Sequence, residues 1–277
     1  MTVSLIDTHA HLDMAPFEAD IPDVIERARS AGVTRIITVG IDLASSRAAL
    51  RIAEVHSMVW AAVGWHPQEA GSYHSGAMAE LKDMATHPKV VALGEMGLDF
   101  HHGDATREEQ LRVLRDQLGL AREAGLPIIL HCRQAESELL ALLRESAPGS
   151  AQGYRGVVHC FSGDMAIAAQ YLELGFHISL GAYIGYPSSR HLQVMLRALP
   201  EDRLLLETDC PFLPPQNRRG QRNEPAYLDA TAAVLASIRG VPLENLARSI
   251  LHNTNELFHI PSVTEASPAD ENGPGFS

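Results

Sequence analysis

Eight short apolar runs, separated by amphipathic stretches, set the strongest limit on what this chain can fold into. They cover residues 5–9, 35–40, 60–65, 90–95, 127–131, 156–159, 176–180 and 204–209. Two of them, Ile128-Ile129-Leu130 and Leu204-Leu205-Leu206, are apolar without a break, the pattern of strands covered on both faces. The stretches between carry helix signals. Residues 21–30 have Pro22 in the first turn and stop before Gly32. Residues 106–124 end at Gly125, and residues 165–174 open after the capping sequence Ser162-Gly163-Asp164 and end at Gly175. Eight alternating β and α units predict an α/β fold, a (β/α)8 TIM barrel forming one domain over residues 1–260. The alternative is an open doubly wound sheet, which gathers functional residues near one switch point rather than at the ends of many strands. Past residue 260 the chain becomes polar and rich in Pro and Gly, so 261–277 is expected to be a disordered tail.

The reactive side chains stand at the ends of those runs. The first gives Asp7-Thr8-His9-Ala10-His11, and residues two apart on a strand share a face, with Cα atoms roughly 6.6–7 Å apart. Two such imidazoles can converge on one ion, with Zn–N bonds of about 2.0–2.1 Å. The fourth run ends in Glu95, the fifth in His131, the sixth in His159 and the eighth in Glu207-Thr208-Asp209. In a barrel these ends meet at one mouth. Four imidazoles and the carboxylates of Glu95 and Asp209 suit two divalent ions about 3.5–4 Å apart with a bridging carboxylate. His56, His74, His87, His101, His102, His191, His252 and His259 are read as ordinary surface or helix-end residues, and His177 as lying near the start of its strand.

Cys132, Cys160 and Cys210 each follow a proposed ligand. If the ligand points into the barrel, its neighbour points out to the helices, so all three are read as small buried apolar residues. An odd, sparse set of cysteines makes no disulfide framework and points to a reducing cytoplasm. There is neither a signal-peptide pattern nor a run of 18 apolar residues, so no membrane association is expected. The net charge of −12 argues against a protein that coats duplex DNA, yet permits a local phosphate site.

The ordered set Ile6-Asp7-Thr8-His9-Ala10-His11-Leu12, Gly64-Trp65-His66-Pro67, Gly94-Glu95-Met96-Gly97-Leu98-Asp99, His131-Cys132-Arg133, His159-Cys160-Phe161-Ser162-Gly163, Glu207-Thr208-Asp209-Cys210-Pro211 and Arg219-Gly220-Gln221-Arg222-Asn223-Glu224-Pro225 resembles the TatD-related metal-dependent deoxyribonucleases of the amidohydrolase superfamily. The resemblance runs from residue 6 to about 260. It implies a two-metal hydrolase in which His9, His11, Glu95 and Asp209 hold one ion and Glu95, His131 and His159 the other. It also implies DNA phosphodiester cleavage, a 3′-to-5′ exonuclease role and a setting in DNA repair, with Asp209 orienting or deprotonating the attacking water. Cys132 departs from the serine common in such proteins, without touching the ligand set. Many amidohydrolases use a carbamylated lysine as the bridge. Here the only lysines, Lys82 and Lys89, precede the fourth strand, which leaves Glu95 as the bridge.

Substrate contacts are expected from His66, Arg133, Arg218, Arg219 and Arg222, the last three in the loop after the eighth strand, a favoured phosphate-binding place in barrels. Glu224 is expected to fix that loop by pairing with an arginine. Phe161, Tyr183, Tyr186 and Phe212 are candidates for stacking on a terminal base. The expected substrate is DNA, single-stranded or with free ends, with no obligate protein partner. Small-molecule amide or ester hydrolysis and deacylation of aminoacyl-tRNA are the competing functions on the same site. The cofactors expected are two divalent ions per chain, Mg²⁺, Mn²⁺ or Zn²⁺.

Overall fold

The computed structural model describes residues 3–74, 76–103, 105–146 and 153–260; the predicted tail at 261–277 lies outside them. Eight parallel strands run in sequence order: β1 (Leu5–Ala10), β2 (Val33–Val39), β3 (Val59–Val63), β4 (Val90–Asp99), β5 (Ile128–Arg133), β6 (Gly156–Val158), β7 (His177–Leu180) and β8 (Leu204–Leu206). The sheet curls until β8 meets β1. A bridge pairs Ala10 with Cys210, and the His11 and Asp209 amides donate to the carbonyls of Cys210 (2.8 Å) and His9 (2.9 Å). The nearly closed TIM barrel predicted from the alternation is the fold observed.

Period-two alternation explains its two buried layers. Ile37, Val39, Ala62, Ala92, Ile129, Val157 and Leu205 fill the barrel interior. Their strand neighbours, among them Ile36, Ala61, Val63, Leu93, Ile128, Leu130, Leu204 and Leu206, pack outward in the larger cluster shared with the helices. The last helix (Leu243–Phe258) brings Leu257 and Phe258, with Ile260 just beyond it, into the interior layer. Its Asn253 amide also donates to the Leu204 carbonyl at the start of β8 (3.0 Å), so this end of the chain closes the barrel floor. Helix limits follow the capping chemistry. The helix Ile21–Ser30 has the predicted bounds, and Arg107–Ala124 opens on a Thr106/Glu109 capping box and stops at Gly125 with φ 68°. Asp164 accepts from the Ile167 amide to start Met165–Glu173.

Most strands end within two residues of expectation, β4 and β8 further from it. β4 continues four residues past Glu95, with a bulge against β5 between Leu93 and Met96. Glycine permits this: Gly94 and Gly97 have φ of +141° and +151°, and a Cβ on Gly97 would overlap the His131 carbonyl oxygen. Extending β4 places Glu95 and Asp99 at the same barrel mouth. β6 stops at Val158 and β8 at Leu206, because Cys160 (φ 48°) and Asp209 (φ 56°) turn the backbone into loops. The turn at Cys160 breaks the alternation on which its expected outward orientation depends.

Candidate metal centre

Glu95 is buried at the mouth, and its two oxygens face different clusters. Oε2 lies 3.3 Å from His9 Nε2 and 3.8 Å from His11 Nε2. Asp209 Oδ1 completes that side, 3.9 and 3.6 Å from the same two nitrogens. Oε1 lies 2.8 Å from His131 Nδ1, 2.7 Å from His159 Nε2 and 3.5 Å from His66 Nε2. All six predicted ligands are thus brought together, with His9, His11 and Asp209 on the Oε2 side of Glu95 and His131 and His159 on the Oε1 side.

The donor geometry fits metal ions. Two nitrogens about 2.0–2.1 Å from one ion at a tetrahedral angle are about 3.3–3.4 Å apart. His9 Nε2 and His11 Nε2 are 3.2 Å apart, and His131 Nδ1 and His159 Nε2 are 3.3 Å apart. The groups His9–His11–Asp209 and His66–Glu95–His131 each have ligand atoms close enough to hold an ion, as does His9–His159–Glu207.

A supporting layer sets the ring orientations. His11 Nδ1 donates to the Val39 carbonyl (2.9 Å), which leaves Nε2 as its lone-pair nitrogen. His131 turns Nε2 toward Asp99 Oδ2 (3.2 Å), leaving Nδ1 on the Glu95 side. Asp99 is itself held by the Gln68 side-chain amide (3.1 Å), by His102 Nδ1 (2.8 Å) and by the amides of His101 and His102. Glu207 accepts from the Cys160 amide (2.5 Å) and stands 3.7 Å from His159 Nδ1. Asp99 and Glu207 lie outside the ligand set expected from the sequence, although both belong to the strand-end motifs, four and two residues from Glu95 and Asp209. His102, read as a surface histidine, is part of this layer.

Burial alone would push the Glu95 carboxyl up. The surrounding His159, His66 and His9 and the hydrogen bond with His131 outweigh it and hold Glu95 well below the usual carboxylate range. For Asp209, burial likewise opposes ionisation, and His11, His9 and His159 overcome it. Burial works against charge on His11 too, but Asp209, Glu95 and Asp13 raise it to about 9. Without ions, the carboxylates favour a proton on His11, whereas burial and the neighbouring His159 lower His9. Ligation requires the neutral imidazole, so metal uptake releases protons.

His66 is buried after β3, and its Nδ1 accepts from the Gln68 amide (3.1 Å). Its neutral form therefore carries the proton on Nε2, the nitrogen that faces Glu95. Burial lowers its pKa, so the ring presents a neutral N–H donor to the centre. Arg133 is exposed at the end of β5. Arg218 and Arg219 are exposed and lie over the rings of Tyr227 (4.0 Å) and Tyr186 (4.7 Å). Arg222 behaves differently from the expectation of a phosphate contact. Its guanidinium makes a bidentate pair with Asp20 (2.8 Å each), bonds Glu224 (2.7 Å) and donates to the Pro16 carbonyl. Arg27 also binds both acids, and the Glu224 role in fixing the loop is observed. A phosphate would have to displace that network, so Arg222 is read as structural.

Cys210 is buried, whereas Cys132 and Cys160 are partly buried against the core. Lys82 pairs with Glu123 and Lys89 donates to the carbonyls of His56, Ser57 and Val59, so neither serves the centre. Phe161 and Tyr183 are buried, and the Tyr183 hydroxyl donates to the Phe161 carbonyl. Among the described residues, no helix is long and apolar enough to cross a membrane.

The supporting layer yields a prediction. Asp99→Asn should weaken metal binding about 10- to 100-fold, the usual effect of removing a carboxylate behind a ligating histidine. Competition with a chromogenic chelator measures this directly; an affinity within threefold of the wild type would mean that Asp99 does not orient His131.

Comparison with known proteins places these residues in context. Residues 6–259 match the family described as TatD related DNase. The metal-dependent hydrolase YabD of Bacillus subtilis (strain 168) is 38% identical over 256 residues, covering 92% of this chain and 99% of its own. A protein named 3′-5′ ssDNA/RNA exonuclease TatD, from Klebsiella pneumoniae (strain 342), is 36% identical over 264 residues, covering 92% of this chain and 98% of its own. The crystal structure of YjjV, a TatD homologue from Escherichia coli K12, superposes with a TM-score of 0.88 at 35% identity, over 94% of this chain and all of the other.

Proposed function

This chain belongs to the TatD related DNase family of metal-dependent hydrolases, and we propose that it is a two-metal 3′-to-5′ exonuclease acting on single strands and free ends. The observation that carries this reading is the division of the Glu95 oxygens between two imidazole clusters at one barrel mouth. His9, His11, Glu95 and Asp209 would hold one divalent ion and Glu95, His131 and His159 the other. Ions of the Mg²⁺, Mn²⁺ or Zn²⁺ type supply Lewis-acid polarisation of phosphoryl oxygens and an acidified water at neutral pH. DNA is the substrate expected, and relatives named for ssDNA and RNA support including RNA.

The protein groups have separable tasks. Asp209 has the more open carboxylate, its side chain 14% exposed against 4% for Glu95, which supports assigning it to meet the attacking water and take its proton. His66 donates from Nε2–H to a non-bridging phosphate oxygen. Arg133, Arg218 and Arg219 supply positive charge to adjacent phosphates around an otherwise acidic protein.

Three arginines neutralise few phosphates. For single strands at about −0.7 per phosphate, log K should fall with log[salt] with a slope of about −1 to −3, against about −10 for a large repressor. The test compares linear and covalently closed single-stranded circles of one sequence at several salt concentrations. The linear form should be degraded and the circle spared. Equal cleavage of both would rule out end recognition, and a steep slope would mean a larger footprint.

A further inference from the structure

Four large apolar residues are markedly exposed among the described residues, Val55, Met165, Val194 and Phe212, and Phe212 alone is aromatic. It is 49% exposed and lies three residues after Asp209. Its ring meets the His11 imidazole edge-on, with centroids 6.2 Å apart. The backbone beneath it is fixed. The Phe212 amide donates to the Asp209 carbonyl (2.9 Å), and the buried Asn223 side-chain amide donates to the carbonyls of Phe212 (2.7 Å) and Thr208 (2.8 Å). Close by, the Tyr186 hydroxyl donates to the Pro214 carbonyl (2.7 Å), and Arg219 caps the Tyr186 ring. Of the four aromatic residues considered for stacking, Phe161 and Tyr183 are buried and the Tyr186 ring lies under a cation. Phe212 is the ring with open surface at the rim of the centre.

We infer that Phe212 is a stacking platform for a nucleobase at the 3′ end of the strand being cut, and that it sets the preference for unpaired ends. The inference rests on the nuclease reading above. Every base has a π face, so a phenyl ring takes any base without reading sequence. A base beside the scissile phosphate must leave its own stack to lie on Phe212. At a single-stranded end that costs little; in a duplex it costs unpairing as well. Because the loop backbone is tied down through Asn223, the ring lies at a set distance from His11. It can therefore fix which phosphate reaches the ions.

The test uses wild type, Phe212→Ala and Phe212→Trp, each reconstituted with Mn²⁺. Their substrates are single-stranded oligodeoxynucleotides carrying a base or an abasic sugar at the last or the penultimate 3′ position. The wild type should lose roughly 5- to 150-fold in kcat/KM at one of the abasic positions, the kinetic equivalent of one base–aromatic stack. Phe212→Ala should lose a similar factor on the complete strand and nothing further on that abasic strand, while Phe212→Trp keeps wild-type behaviour. If Phe212→Ala matches wild type on every substrate, or loses equally with and without the base, the platform is overturned while the nuclease stands. If the wild type cleaves no oligonucleotide yet hydrolyses a small ester or amide, the nuclease reading fails and takes the platform with it.

Discussion

Asp209→Asn should lower kcat by about 10²–10⁴-fold while the fold and most of the bound metal are retained, the range expected for removing a general base. The substitution keeps the size of the side chain and one carbonyl oxygen near His9 and His11, where Oδ1 now lies 3.9 and 3.6 Å from their Nε2 atoms. What it removes is the capacity to accept a proton. The carboxyl is held ionised against its burial by His11, His9 and His159, so the wild-type group is ready to do so at neutral pH. The supporting Asp209 amide bond to the His9 carbonyl is made by the backbone and survives the change. Single-turnover cleavage of a 5′-labelled strand, with elemental analysis of the same sample, checks both halves. Turnover above about a tenth of wild type would exclude Asp209 as the base.

Glu95→Ala should have the larger effect on metal. Each Glu95 oxygen faces a different cluster, so on the two-metal proposal one substitution would remove a ligand from both sites, whereas removing any one histidine would touch one. It also takes away the negative charge that offsets the buried rings around it. After dialysis the variant should hold less metal than His11→Ala or His159→Ala. Its activity should fall about 10³-fold or more, matching the several kcal/mol that bound ions contribute to charge stabilisation. Retention of two ions per chain would show that Glu95 is not the bridge.

The parts of this molecule legible in its sequence are those governed by local pattern. Short apolar runs, the Asp164 cap and helix-stopping glycines such as Gly125 locate the strands and helices, because backbone bonding and burial act within a few residues. The gathering of His9, His11, Glu95, His131, His159 and Asp209 followed from placing strand ends at one mouth. The continuation of β4 to Asp99 was not legible in that way, because it depends on Gly97 lying against the His131 backbone. Arg222 looked like part of a basic cluster, yet its partner Asp20 lies 202 residues away in the chain, and only folding brings them together. Cys160 escaped the alternation rule because a turn begins there. Exposure, which separates Phe212 from Phe161 and Tyr183, is a property of packing that residue type does not encode.

The most direct test of the central claim is a time course of metal-stripped and reconstituted protein on a 5′-labelled single strand, run beside a chromogenic ester and an amide. Two clusters sharing Glu95 at one barrel mouth predict no cleavage without metal. With Mg²⁺, Mn²⁺ or Zn²⁺ restored, they predict a ladder shortening one nucleotide at a time from the 3′ end. An intact labelled strand in a reconstituted sample that hydrolyses the ester or the amide would contradict it.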